Sequence, residues 1–130
     1  MAANDKSRRD DQQSHTGAAA IPPDCAAVLV YATFPSEPLA VNIGRQMVEA
    51  RLAGCINVLP GMTSVYVWEG KTETSSEAVL IAKMPANAAE RAVAFIKANH
   101  PYDTPAILVL PVAGGSAEYL AWLALGTAPA

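Results

Sequence analysis

The chain has 130 residues, of which 52% are hydrophobic and 16% are charged, and its formal net charge is −3. This length suits one domain and this composition supplies a core, which excludes a disordered protein, a coiled coil and a disulfide-rich secreted module. The negative balance provides no basic field for nucleic acid or for an anionic membrane, so we expect neither as a partner.

The N-terminal residues differ in kind from the rest of the chain. Residues 1–20 carry three acidic and three basic side chains and almost no large apolar ones. Such a segment cannot bury enough apolar surface to offset the entropy lost on ordering. We therefore predict a disordered tail over residues 1–24, which ends just after Pro22-Pro23, and a folded domain over residues 25–130.

Deletion of residues 1–24 is expected to leave the melting temperature and the oligomeric state nearly unchanged. The reason is the polar, charge-balanced composition of this segment. Thermal unfolding and light scattering of the shortened and full-length chains test this. A large loss of stability would mean that the segment packs on the domain.

The cysteines and the N-terminal composition indicate a compartment. Cys25 and Cys55 each lie in an apolar run, and neither forms part of a CxxC motif. We expect small buried hydrophobes with reduced thiols, which is typical of the cytoplasm. The first twenty residues lack the apolar centre of a secretory signal, and the run from Cys25 to Ala32 is far shorter than the roughly 18 residues of a spanning helix. We expect a soluble cytoplasmic protein.

A strand, a helix and a second strand open the predicted domain. Residues 26–32 form a continuous β-leaning run, and Ser36 follows as a helix N-cap. Gly54 stands where a helix C-cap is expected, before a strand over residues 55–59. The predicted helix carries one apolar stripe, formed by Leu39, Ile43, Met47 and Ala50.

A long β-ribbon is predicted next. Pro60-Gly61 indicates a bend, after which alternation places Tyr66 and Trp68 on one face. Glu69-Gly70 suits a tight hairpin turn, and the return strand is predicted over residues 78–83. A ribbon of this length exposes edges and apolar side chains that one small domain cannot cover, which indicates an oligomer.

The remaining elements complete a split βαβ pattern. Asn87 and Glu90 have capping-box spacing for a second helix, which must end before Pro101. A buried strand follows over residues 106–110, and Ser116 caps a short C-terminal helix. The order β-α-β-β-α-β-α predicts an α/β (α+β) sandwich of the ferredoxin-like kind.

The residue types exclude several kinds of chemistry. His100 is the one histidine of the predicted domain, and no G-x-S-x-G or activated-cysteine arrangement accompanies it. Arg45, Arg51 and Arg91 fall in helical segments, which does not support an acyl phosphatase with an arginine at a phosphate cradle. The domain also lacks the basic residues of an RNA-binding sheet.

Four segments together carry a family resemblance: A-G-C-I-N-V-L-P-G-M-T-S at residues 53–64, Y-V-W-E-G-K at 66–71, H-P-Y-D-T-P at 100–105 and Y-L-A-W at 119–122. In this order and spacing the chain resembles the CutA divalent-cation-tolerance family over residues 26–125. The resemblance implies a homotrimer of ferredoxin-like subunits, related in architecture to PII signalling trimers. In that family the bent ribbon pairs with strands of a neighbouring subunit.

The resemblance also implies a candidate metal ligand. Some members of the family are described as binding copper through a cysteine at the end of the first strand and two adjacent histidines. Those positions fall on Ala32, Asn99 and His100 here, so that only His100 matches. Copper prefers thiolate or several imidazoles. We therefore expect no required cofactor, and at most weak binding of copper or another divalent cation at His100. The alternative role for His100 is a hydrogen-bonded residue that closes the second helix.

Three functions remain open. The first is a non-enzymatic trimer in the response to divalent cations, as the resemblance implies. The second is a PII-like trimer that binds a small ligand or a protein partner in clefts between subunits, with Trp68, Glu69, Lys71 and Tyr102 as candidate residues. The third is a hydrolase or transferase with a site shared between subunits, in which Glu69 of one subunit would reach His100 of the next.

Overall fold

The computed structural model describes residues 26–129. The predicted tail at residues 1–24 and Cys25 lie outside the described residues. The described strands and helices, in chain order, are β1 (Ala27–Phe34), α1 (Glu37–Glu49), β2 (Cys55–Trp68), β3 (Lys71–Pro85), α2 (Ala89–Asn99), β4 (Ile107–Val112) and α3 (Ala117–Leu125). Among these residues no helix is long and apolar enough to cross a membrane.

The four strands form one antiparallel sheet in the order β2-β3-β1-β4. This is the strand order of the split βαβ pattern, so the predicted ferredoxin-like fold is confirmed. Because side chains alternate along a strand, one face of the sheet buries apolar residues under α1 and α2. The largest of these core side chains are Val28, Val30, Phe34, Met47, Leu80, Met84 and Ile96.

The start of α1 agrees with the sequence prediction and its end does not. The Ser36 hydroxyl accepts a hydrogen bond from the Leu39 amide at 3.3 Å, as an N-cap does. The helix ends at Glu49, and Arg51 takes the left-handed conformation with φ 59°. The prediction of Gly54 as the C-cap is therefore wrong. Gly54 lies instead against α3, where a Cβ atom would come within 3.0 Å of the Leu123 carbonyl oxygen.

The ribbon of β2 and β3 has the predicted bend and turn. The register shifts between Leu59 and Met62, and Gly61 lies within this bulge with φ 70°. Glu69 and Gly70 both have positive φ, which suits the two-residue turn between the strands. β3 begins at Lys71 rather than at residue 78, because its polar half pairs with β2 throughout the overhang.

The second helix lacks the predicted capping box. Residues Ala86–Ala88 form one turn of 3₁₀ helix, and α2 starts after Ala88 with no side-chain cap. The Asn87–Glu90 prediction is therefore wrong, because Asn87 lies inside that turn. The last turn of α2 ends at His100, whose backbone N–H bonds to the Lys97 carbonyl at 3.5 Å.

Two arginines hold the C-terminal segment against the body of the domain. Arg51 donates from Nη2 to the Leu125 carbonyl at 2.9 Å, and its own carbonyl accepts from the Ala128 amide at 2.8 Å. Arg91 donates from Nη2 to the Ala128 carbonyl at 3.0 Å. The Ser116 hydroxyl accepts from the Tyr119 amide, so the predicted N-cap of α3 is confirmed.

Candidate functional site

The candidate cleft residues lie in two places on one subunit. Trp68 and Lys71 are paired across the ribbon tip, with Glu69 in the turn between them. Tyr102 lies in the loop between α2 and β4, beside His100. Tyr66 lies two residues before Trp68 and acts electrostatically on Tyr102.

His100 is enclosed by two aromatic rings and two backbone groups. Its imidazole stacks on the buried Phe34 ring, with centroids 4.5 Å apart, and lies 4.9 Å from the Tyr102 ring. Nε2 is 2.7 Å from the Thr33 carbonyl oxygen. The Tyr102 amide donates to Nδ1 at 3.2 Å. The side chain therefore joins the end of β1 to the start of the loop.

These two contacts determine the tautomer of His100. A carbonyl oxygen only accepts, so Nε2 must carry the proton that it donates to Thr33. A backbone N–H only donates, so Nδ1 must offer its lone pair to Tyr102. The geometry is thus that of the neutral imidazole with hydrogen on Nε2. Burial lowers the pKa of His100 below its ordinary value, although the Thr33 carbonyl and the Glu77 carboxylate act in the opposite direction.

Glu77 is a functional candidate that the sequence analysis did not identify. This residue of β3 is 2% exposed, and its Oε1 accepts a hydrogen bond from the Ser64 hydroxyl at 2.6 Å. Burial, then the charge of Glu77, then Tyr66 raise the pKa of Tyr102 above its ordinary value. The available signal was a glutamate directly before a buried apolar run, since β3 continues Ala78-Val79-Leu80.

The three positions that correspond to the family's copper ligands do not bring three metal-binding side-chain atoms together. Ala32 is fully buried and has no donor atom, and the Asn99 amide donates to the Phe95 carbonyl at 2.8 Å within its own helix. Over residues 26–129, no group of three or more His, Cys, Asp or Glu side chains is arranged to hold a metal ion. Cys55 carries a free thiol and lies opposite Lys83 in the backbone register of β2 and β3. Glu77 lies opposite Met62, on the other side of the bulge, so the thiol and this carboxylate are at different points along the ribbon. In this geometry the residues do not fit a metal centre.

The face of the sheet away from α1 and α2 is largely apolar, and α3 covers it only at the end near Lys83, which donates to the Tyr119 hydroxyl at 3.3 Å. Leu108 and Leu110 of β4 lie opposite Tyr31 and Leu29 of β1, and they are 60% and 43% exposed. Leu59 of β2 lies on the same face and is 56% exposed. The Tyr31 hydroxyl contacts the Met62 sulfur at 3.6 Å, which places the Ser64–Glu77 pair at one end of this face. Ser64 and Glu77 thus lie at the edge of an uncovered apolar surface; together with Tyr102, on which the charge of Glu77 acts, they are called the polar rim.

The family model described as CutA1 divalent ion tolerance protein matches residues 28–125. The chain is 43% identical over 101 residues to the divalent-cation tolerance protein CutA of Pectobacterium atrosepticum, a match that covers 78% of this chain and 92% of that protein. It is 40% identical over 97 residues to the chloroplastic CutA of Arabidopsis thaliana, covering 75% of this chain and 53% of that protein.

Solved structures give the same relationship. The chain is similar to CutA1 from Oryza sativa, with a TM-score of 0.79 and 36% identity over 82% of this chain and 97% of the other. It is also similar to the divalent cation tolerance protein of Thermus thermophilus, with a TM-score of 0.75 and 41% identity over 78% and 99% of the two chains. The matches cover nearly all of the described fold. The chain therefore belongs to the CutA1 divalent ion tolerance family.

Proposed function

We propose that this protein is a cytoplasmic homotrimer that acts in divalent-cation tolerance without catalysing a reaction. The observation that carries the assembly is the uncovered apolar face of the sheet. Leu59, Leu108 and Leu110 project from it, and each is more than two-fifths exposed in the single chain. Monomeric proteins rarely expose large contiguous apolar patches, and such patches mark sites of association.

The energetics favour burial of this face by copies of the same chain. Full burial of a leucine side chain stabilises by about 1.5–3 kcal/mol relative to full exposure. On the overhang of the ribbon, Val65 and Val67 are 65% and 52% exposed on the opposite face, where a neighbouring copy would bury them too. The ribbon reaches beyond the helices of its own subunit, so it is placed to lie across a neighbour. The trimeric arrangement is the one that the family resemblance implies.

Two features support a non-enzymatic role. Catalysis by a side-chain nucleophile requires a base within hydrogen-bond reach, and both ring nitrogens of His100 are directed at backbone groups. Ser64 donates to Glu77, whose carboxylate is nearly inaccessible in the single chain. The described residues around His100 do not support tight cation binding, because one imidazole alone is a poor copper site.

A second candidate is a PII-like trimer with ligand clefts between its subunits. The observation in its favour is the polar rim of Ser64, Glu77 and Tyr102 beside the apolar face. In an assembly that covers this face, the polar rim of one subunit lies next to a neighbouring subunit. A ribbon tip, with the Trp68 indole and the opposite charges of Glu69 and Lys71, would then form the other wall of the cleft. A variant of the tip that keeps the trimer but loses cation tolerance would favour this candidate.

The Trp68→Ala variant tests the assembly. Trp68 is half-buried at the ribbon tip, so its removal is expected to weaken the trimer more than it alters the secondary structure of the subunit. Light scattering coupled to size exclusion over a dilution series, with circular dichroism as control, measures both effects. A wild-type monomer at micromolar concentration would contradict the proposal.

Cation tolerance itself is tested in cells. A bacterial host that lacks its own relative is supplied with this chain, and growth is compared over graded copper and zinc. We expect the wild-type chain to restore growth and an assembly-deficient variant to fail. Equal growth with and without the chain would contradict the tolerance role.

A further inference from the structure

Both ring nitrogens of His100 are bound to backbone groups of two different segments. Nε2 contacts the Thr33 carbonyl at 2.7 Å, near the end of β1, and Nδ1 accepts from the Tyr102 amide at 3.2 Å. The imidazole is half-buried and stacked on Phe34. Its position is therefore set by three contacts from three directions, all within one subunit.

We propose that His100 is a positioning residue that latches the α2–β4 loop to β1, and that it does not act as a metal ligand in this protein. By fixing the Tyr102 backbone, the latch holds the Tyr102 ring beside the imidazole and within the electrostatic influence of Glu77 and Tyr66. The loop thereby completes the polar rim of the uncovered face.

Metal ligation at His100 conflicts with this latch. A metal ion binds through a nitrogen lone pair, and in the tautomer that these contacts require the only available ring lone pair is at Nδ1, where it accepts from Tyr102. Ligation there would break this hydrogen bond and leave a half-buried amide without its acceptor. Ligation at Nε2 would instead break the contact with Thr33. The other two family positions offset neither loss. Ala32 has no side-chain atom that can bind a metal ion, and the Asn99 amide is hydrogen-bonded to the Phe95 carbonyl.

The latch is independent of the assembly, because every contact that forms it lies within one chain. Loss of the trimer would contradict the proposed function and leave the latch intact. Conversely, a different tautomer of His100 would overturn the latch while leaving the trimer in place.

The first test is NMR of the full-length wild-type protein. Nitrogen-15 spectra of the His100 ring at neutral pH are expected to show hydrogen on Nε2 and a bare Nδ1. Addition of Zn(II), alone and in stoichiometric amount, should leave the ring resonances unchanged. A proton on Nδ1, or a stoichiometric shift of the ring nitrogens on addition of Zn(II), would overturn the proposal.

The second test uses a graded set of variants with amide exchange at Tyr102 as the readout. His100→Ala is expected to speed exchange at this amide by about tenfold, the size of one lost hydrogen bond. His100→Asn keeps an acceptor close to the position of Nδ1 and should restore much of the protection. Asn99→Ala is the matched control, because Asn99 bonds only within its own helix in the described contacts, and it should leave exchange at Tyr102 unchanged.

The third test is calorimetric titration with Cu(II) and Zn(II), which measures metal binding directly. Wild type and His100→Ala are expected to give the same weak signal, since His100 is not a ligand. Tight one-to-one binding that disappears in His100→Ala would overturn the latch. Unchanged exchange at Tyr102 in that same folded variant would overturn it equally.

Discussion

Replacement of Leu108 by glutamate is expected to convert the proposed trimer to monomers at micromolar concentration. Leu108 is 60% exposed and lies opposite Tyr31 on the uncovered face. An interface that covers this face would have to bury the new carboxylate without a partner, which costs several kcal/mol for each subunit. Light scattering after size exclusion over a dilution series gives the mass directly.

Val48→Glu is the matched control. Val48 is also an exposed apolar residue, 38% exposed, but it lies on α1, on the other side of the sheet. Replacement of this exposed aliphatic side chain by glutamate adds the same negative charge on the other side of the sheet and should leave the trimer intact. Equal dissociation by the two variants, or by neither, would show that the uncovered face is not the interface.

Phe34→Ala is expected to lower the free energy of unfolding by about 3–5 kcal/mol, the usual cost of truncating a buried phenylalanine. Phe34 is fully buried at the end of β1 and supports the His100 ring by stacking. Its loss therefore leaves a cavity in the core and removes one contact of the latch. Urea unfolding at one fixed protein concentration measures the change, because association contributes to apparent stability.

Phe34→Leu separates these two effects. Leucine retains most of the apolar volume and lacks an aromatic face, so the stability loss should be clearly smaller than for alanine. Exchange at the Tyr102 amide should nevertheless rise, since the stack on His100 is lost. A loss below about 1 kcal/mol in Phe34→Ala would contradict the central place of this ring in the core.

Local signals in the sequence predicted most of the fold. Ser36 and Ser116 were identified as N-caps because a hydroxyl before a helix has one strong role there. Glu69-Gly70 was identified as a turn because few dipeptides suit two positive φ values. Such features depend on neighbours in sequence, so periodicity and residue type are sufficient to find them.

The failures arose where distant contacts decide the structure. Gly54 resembles a C-cap locally, but its lack of a side chain serves the close approach of Leu123, far along the chain. Asn87 has capping-box spacing and lies inside a 3₁₀ turn instead. Arg51 and Arg91 were assigned only to helical segments, because nothing near them in sequence reveals that they hold the C-terminal segment.

The candidate site was predicted only in part for the same reason. His100 and Tyr102 stood out as members of one motif, and their ring contact is local. Glu77 belongs to the same rim through its contact with Ser64 across the ribbon, which depends on the register after the bulge. A single sequence does not specify that register, and so the buried carboxylate went unnoticed.

The central position of β1 has a consequence during synthesis on the ribosome. This strand is made before its neighbours, yet its two hydrogen-bonding partners are β3 and β4, and β4 is the last strand made. Until then the backbone edge of β1 that pairs with β4 remains available to other nascent chains. Unpaired edges of this kind favour misassociation. A pause in synthesis before β4 is therefore expected to increase association of nascent chains through the open edge of residues 27–34.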